Sequence, residues 1–247
     1  MTVSDTSIKS EIKQTRSSRY PVICIDGPSG AGKGTAAWRL AQALGYQLLD
    51  SGALYRIVGL KAFEAGLIAA DGKKAIDESA LLQLTQGLSI SFELNDDSGR
   101  VDIIVNNERV GEQVRNETVG GYASQVAVFP EVRQSLLQLQ QDMASRNGLV
   151  ADGRDMGTVV FPDADVKVFL TASAEARAQR RVAQLNEAGE VANYQAILTD
   201  IKARDDRDEN RSTAPSKPAE DALLLDSSVL EANVVYEQIK GYCQEKG

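Results

Sequence analysis

The sequence predicts an α/β fold, a mostly parallel β-sheet with helices on both faces. Three observations carry that expectation. Short apolar runs of strand length alternate with stretches whose apolar residues recur at helical spacing, the rhythm of a sheet built by crossover connections. The strand candidates are apolar nearly throughout, as strands covered on both faces are. The chain has 247 residues, enough for one large domain with an insertion at a prior of about 150 residues per domain.

The first strand is expected at Pro21 to Asp26 (PVICID), followed by a glycine-rich turn and a helix from Thr35 to Leu44 that Gly45 stops. Tyr46 to Asp50 reads as the second strand and Gly52 to Phe63 as a helix ending near Gly66. Leu149 to Asp152, Val166 to Leu170 and Leu223 to Asp226 are further strands, separated by helical stretches such as Ala174 to Leu185 and Tyr194 to Asp205. One segment departs from the rhythm. Leu88 to Leu94 and Val101 to Val105 alternate with period two around Asn95-Asp-Asp-Ser-Gly99, so residues 88–114 are expected to form a small antiparallel insertion. Residues 1–19 offer almost nothing to bury and are expected to be a mobile extension ahead of a domain spanning 20–247.

Composition excludes several classes of function. Hydrophobic residues at 43% and charged residues at 25% are ordinary for a soluble globular protein. With 27 Lys and Arg against 35 Asp and Glu the net charge is −8, and the pI is near 4.8, which argues against a nucleic-acid-binding face. An anionic ligand should therefore be small and held in a local basic pocket. There is no histidine, so Ser-His-Asp and Cys-His catalysis, His-ligated zinc and an imidazole base are all removed. Two cysteines, Cys24 and Cys243, are too few for a Cys₄ zinc site or a disulfide framework. No run approaches the roughly 18 apolar residues of a membrane span, and residues 1–19 lack the apolar stretch of a secretory signal. A cytoplasmic protein without a membrane partner is expected.

The strongest chemical signal is Gly27-Pro28-Ser29-Gly30-Ala31-Gly32-Lys33-Gly34-Thr35, set between an apolar strand and a helix start. Glycine could serve there simply to make a tight turn. In this strand–loop–helix context, however, the backbone N–H groups and the helix N-terminus form a cradle for a polyphosphate, and Lys33 would reach the β and γ phosphates of ATP. The fold is then of the P-loop NTPase type. The residue after the lysine is Gly34, with the hydroxyl one place later at Thr35, whereas the general pattern has Ser or Thr directly after the lysine to hold Mg²⁺. Gly-Lys-Gly-Thr resembles the nucleoside monophosphate kinases, which implies that Mg²⁺ arrives with ATP. Asp152 would orient the ion through water, with Thr35 as a possible direct ligand.

Ligands of open α/β sheets lie beyond the carboxyl ends of the strands. Arg56 follows the second strand and Arg154 the third, each placed to grip a phosphate with a bidentate fork. Either alone is compatible with a surface ion pair. Together with the phosphate loop they imply an acceptor that is itself a phosphate. Further on, Arg204, Asp208 and Arg211 are spaced i, i+4, i+7 and are expected to share one helix face. That face is either a solvated salt-bridged surface or part of a lid at about 204–218 that closes over a transferring phosphoryl group.

Five segments carry a resemblance that covers the chain from about Pro21 onward: IDGPSGAGKGT (25–35), LLDSGALYR (48–56), ASQVAVFPEVR (123–133), ADGRDMGTVVFPDADVKVFL (151–170) and IKARDDRDENR (201–211). The chain resembles the bacterial cytidylate kinases, which implies transfer of the ATP γ-phosphoryl group to CMP or dCMP by a monomer. The insertion resembles the extra segment of that family's nucleotide-binding subdomain. By this resemblance Ser51, Tyr55 and Arg56 border the acceptor nucleotide, and Arg56 and Arg154 hold its phosphate. Ser124, Arg133 and Asp155 would read the base, and Arg204, Asp208 and Arg211 would contact sugar or phosphate from the lid. Lys33, Arg154, Arg204 and Arg211 would be catalytic. Cytosine offers an amino donor beside ring-nitrogen and carbonyl acceptors, which an Asp, Ser and Arg set matches; uracil reverses part of that pattern, so UMP should be the poorer substrate. The missing histidine fits as well, because a phosphate monoester with a second pKa near 6 is already an anionic nucleophile. A small-molecule kinase with a hydroxyl acceptor and a nucleotide-dependent binding module remain the alternatives.

Overall fold

The structure, a computed structural model, describes residues 20–95, 100–115, 117–144 and 147–246. The expected extension at 1–19 and most of the expected hairpin turn, residues 96–99, lie outside the described residues.

Five strands form one parallel sheet in the order β2-β6-β1-β7-β8: β1 Val22–Asp26, β2 Gln47–Asp50, β6 Leu149–Gly153, β7 Val166–Thr171 and β8 Leu223–Asp226. Their near-continuous apolar character has a direct cause, because alternate residues enter different cores. Val22 and Cys24 of β1, with Leu149 and Ala151 of β6, face one cluster. Ile23 and Ile25 of β1, with Val150 of β6 and Val168 of β7, face the other. Both faces of β1 and β6 are covered, so polar outward positions are lost there and the period-two signal with them, whereas β8 at the sheet edge leaves Leu224 64% exposed. Ile23 and Ile25 are fully buried, and each such side chain contributes about 1.5–3 kcal/mol.

Helices α1 (Lys33–Leu44) and α8 (Ala232–Lys246) cover one face. On the other lie α2 (Ser51–Glu64), α3 (Glu78–Gln86), α4 (Glu117–Val126) and α5 (Pro130–Met143). Helices α6 (Ala174–Glu187) and α7 (Tyr194–Asn210) pair with each other after β7. Local chemistry sets several boundaries. Gly45 ends α1 in the left-handed conformation, and Asp50 caps α2 by accepting the Ala53 N–H at 2.9 Å.

The period-two segment is a separate antiparallel sheet of β3 (Ile90–Asn95), β4 (Arg100–Val105) and β5 (Glu108–Val110). The third strand was not expected; Asn106 and Asn107, both at positive φ, make a second tight turn that Asn tolerates. Helix α1 begins two residues before the expected Thr35, so Lys33 is its first residue. One expectation fails outright. Arg211 does not extend the α7 face, because the helix ends at Asn210 and Arg211 is extended at φ −63°, ψ 142°. Helical spacing places Arg204 and Asp208 together but not Arg211, which the loop beyond carries instead.

Gly27 starts the loop after β1 at φ +138°, and a Cβ there would stand 1.9 Å from the Leu170 carbonyl oxygen of β7. No L side chain fits. Gly27→Ala is expected to destabilise the protein by about 3 kcal/mol, seen in thermal unfolding as a fall of roughly 6–12 °C. An unchanged midpoint would contradict this close approach.

Candidate active site

The carboxyl ends of β1, β2 and β6 open on one cleft of about 1110 Å³, as expected for a parallel sheet whose chain builds outward from β1 in both directions. Each strand end delivers a different chemical group. After β1 the glycine loop turns into α1. Gly30 and Gly32 take left-handed φ of +80° and +98°, which lets the chain wrap tightly before the helix N-terminus. Ser29 to Thr35 line the cleft. Gly27 and Pro28 face inward through their carbonyls, which accept from Arg154 Nη1 at 2.9 Å and from Lys33 Nζ at 3.0 Å.

Lys33 is only 6% exposed, and its ammonium is 3.6 Å from Asp152 Oδ1 on β6. Burial lowers the Lys33 pKa and raises that of Asp152, while each charge partly offsets the shift of the other. Strand β6 runs one residue past Asp152 to Gly153, so Asp152 is held by the parallel ladder rather than by a loop.

Arg154 follows immediately. It donates from Nε to Asp208 at 3.0 Å and from Nη1 to the Gly27 carbonyl, tying the β6 end to both α7 and the glycine loop. Burial works against ionisation of Asp208, yet Arg154, Arg204 and Arg211 outweigh it and hold the carboxyl below its usual range. Asp155, 4% exposed, pairs with Arg133, 8% exposed, on α5. Arg211 Nη2 is 3.8 Å from the other Asp155 oxygen. Tyr55 packs beneath the Arg133 guanidinium, 5.4 Å from its ring centre, and burial pushes its hydroxyl up to about 12. Arg56 donates to the Val114 carbonyl at 3.2 Å, and Ser124 donates to the Gly120 carbonyl within α4 at 3.2 Å.

All the other expected binding residues also line this cleft: Ser51, Tyr55, Arg56, Ser124, Arg133, Asp152, Arg154, Asp155, Arg204, Asp208 and Arg211. Segments separated by up to about 180 residues in the chain thus meet at one place. The glycine-rich loop, the buried Arg133–Asp155 pair and the arginines Arg56, Arg154, Arg204 and Arg211 line one cleft. The cytidylate kinase family model matches residues 23–245, nearly all of the described chain. The chain belongs to the cytidylate kinase family. It is 53% identical over 224 residues to the cytidylate kinase of Pasteurella multocida (strain Pm70), covering 91% of this chain and 95% of that protein. Against the cytidylate kinase of Actinobacillus succinogenes the identity is 52% over 226 residues, covering 91% and 99%. Against that of Pseudomonas paraeruginosa it is 50% over 227 residues, covering 92% and 96%.

This cytidylate kinase family member also places in the cleft residues that the sequence reading missed. Arg177, Arg180 and Arg181 of α6 also line it, Arg177 and Arg180 beside the glycine loop. Arg177 is buried; it donates to the Ser29 carbonyl at 3.1 Å and forms a two-pronged ion pair with Asp205 of α7. Their i, i+3, i+4 spacing on one helix was a usable signal. Gly120 had none. A Cβ there would stand 3.1 Å from Arg56 Nη2 and 3.6 Å from Arg204 Nη1, so two guanidiniums from different helices share the space beside α4.

Proposed function

We propose that this chain transfers the γ-phosphoryl group of ATP to the phosphate of CMP or dCMP, releasing ADP and CDP or dCDP. The observation that carries the reading is that one cleft is lined by the glycine loop, by the buried Arg133–Asp155 pair and by Arg56 of α2, Arg154 just past β6 and Arg204 of α7. Two anionic esters bound end to end would meet in the middle of that cationic channel. In this reading Gly27 to Thr35 cradle the ATP phosphates. Lys33 exchanges the Pro28 carbonyl for a β- or γ-phosphate oxygen. Arg56 and Arg154 grip the CMP phosphate, Ser51 and Tyr55 border it, and Ser124, Arg133 and Asp155 read the base.

The CMP phosphate oxygen attacks in line without a protein base, since its second pKa near 6 leaves it anionic at neutral pH. Lys33, the loop amides and Arg154, Arg204 and Arg211 neutralise charge on the transferring group, and no phosphoenzyme forms. Residues 204–218 act as the lid. Asp208 couples the lid to Arg154, and closure keeps water from the phosphoryl group. The residues beside the loop fit a magnesium ion carried in by ATP. Thr35 lines the cleft, and a Cβ on Gly34 would lie 3.4 Å from Asp152 Oδ2, so residues with hard oxygen donors stand beside the glycine loop. When bound, Mg²⁺ would offset phosphate charge, and Thr35 and, through water, Asp152 are the residues that would hold it. Among the described residues no group of three His, Cys, Asp or Glu side chains could hold a metal by itself. The protein works as a cytoplasmic monomer with neither nucleic acid nor membrane as partner; no described helix is long and apolar enough to cross a membrane.

The test is ADP release with CMP, dCMP, UMP, AMP and shikimate in turn. CMP and dCMP are expected to be turned over best, with UMP well behind. Activity confined to shikimate would replace the acceptor assignment, and no turnover with any phosphate acceptor would leave a nucleotide-binding module.

A further inference from the structure

Asp26, the last residue of β1, is 5% exposed and stands outside the roles given above. Each of its oxygens accepts one backbone N–H: Oδ1 from Met156 and Oδ2 from Gly157, both at 2.8 Å. These two N–H groups open the single π-turn at Met156–Val160, whose N-cap is Asp155. The first N–H groups of a helical turn have no partner within it, and an Asp at the N-cap ordinarily accepts one of them. Here Asp155 makes no such bond. Its carboxylate points to Arg133 and toward Arg211 instead.

We propose that Asp26 is a positioning residue for base recognition: it caps the π-turn from the neighbouring strand and so leaves the Asp155 carboxylate free for Arg133 and the base. The inference rests on the reading of Asp155 as a base-contacting residue. It also gives a reason for a carboxylate where the apolar strand has no other need of one. Asp26 occupies both opening N–H groups at good length, so Asp155 has nothing to gain by folding back on its own turn. Burial pushes the Asp26 carboxyl up to about 7 even against these two donors, the cost of placing a carboxylate in the sheet interior. Gly157 belongs to the same arrangement, since a Cβ there would stand 3.4 Å from Asp26 Oδ2 and 3.2 Å from the Lys167 stem.

The experiment compares Asp26→Asn, Asp155→Ala and the double variant by kcat and KM for CMP, UMP and ATP. Asparagine keeps the size and one acceptor, removes the buried charge, and opposes its amide N–H₂ to a backbone N–H. Thermal unfolding checks that this variant is folded. Asp26→Asn is expected to lower the CMP-to-UMP ratio of kcat/KM by about tenfold, the scale of one displaced charge-assisted hydrogen bond, through KM for CMP and with KM for ATP unchanged. In the Asp155→Ala background the same change should leave the ratio where it is, because both act through one contact. Equal losses for CMP and UMP would make Asp26 a purely structural residue and overturn the proposal. An unchanged ratio in Asp155→Ala would instead overturn the underlying reading of Asp155. A crystal structure of the unsubstituted protein with CMP decides the matter independently of how the variants fold. Asp26 must keep both N–H groups while Asp155 faces the base; Asp155 turned back onto residues 156–158 would refute the idea.

Discussion

Lys33→Ala is expected to lower kcat by about a thousandfold, the scale of removing a preorganised donor from a site of developing charge, while KM for CMP stays within about threefold. The asymmetry follows from the geometry. Lys33 opens α1 and touches Pro28 and Asp152, whereas Asp155 pairs with Arg133 of α5 and makes no ion pair with Lys33 among the described contacts. Its charge therefore acts on the phosphoryl group in flight rather than on the waiting acceptor. Lys33→Arg should not rescue the rate. The ammonium is buried at 6% exposure under the glycine loop, and a planar guanidinium is a larger group that cannot replace a compact point charge there. The substitution has a second readable effect. Removing the ammonium takes away the largest influence that offsets burial at Asp152, so that carboxyl should titrate still further above its ordinary range. Steady-state kinetics and CMP calorimetry together check the prediction. A rise in the CMP dissociation constant matching the fall in kcat/KM would mean that Lys33 grips the acceptor instead.

The parts of this protein that were legible in its sequence are those in which local chemistry and tertiary role coincide. The glycine run from Gly27 to Gly34 encodes its own backbone shape, so motif, turn and helix start could be read from one segment. The central parallel strands were legible because both faces are buried, which leaves uninterrupted apolar runs such as residues 22–25. Arg56 and Arg154 could be found because each follows a strand end. Arg133 and Asp155 could not be paired by such reasoning. They are 22 residues apart on different elements, and only the packing of α5 beside the β6 end brings them together; their expected roles came through the family resemblance. Arg211 exposes the limit of periodicity, since i+7 spacing assumes a helix that in fact stops one residue earlier. Gly120 and Asp26 were silent for a related reason. Each acts through what it leaves room for or takes out of competition, and neither function has a local signature.

Asp155→Ala is expected to do more to substrate choice than to transfer itself. With Asp155 in its proposed place against the base, cytosine would present an amino group to the carboxylate and uracil a carbonyl, so the carboxylate would both favour CMP and repel UMP. Loss of a hydrogen bond to a charged group costs about 1.5–3 kcal/mol, and the CMP-to-UMP ratio of kcat/KM should fall by roughly 10–100-fold. UMP turnover should rise, because the carboxylate that repels it is gone. Stability must move too. Asp155 and Arg133 are 4% and 8% exposed, and Arg211 approaches the same carboxylate, so truncation leaves two guanidiniums facing each other across a buried gap. Breaking a buried pair in this way costs about 3–5 kcal/mol, and unfolding should shift down by roughly 6–20 °C. Asp155→Asn separates the two effects. It fills the gap and can still accept from Arg133, but its amide can also donate to the uracil carbonyl, so the midpoint should recover while the preference turns toward UMP. Recovery of CMP preference in the asparagine variant would mean that shape rather than hydrogen-bond polarity selects the base. Equal losses for both pyrimidines in Asp155→Ala would remove Asp155 from base recognition altogether.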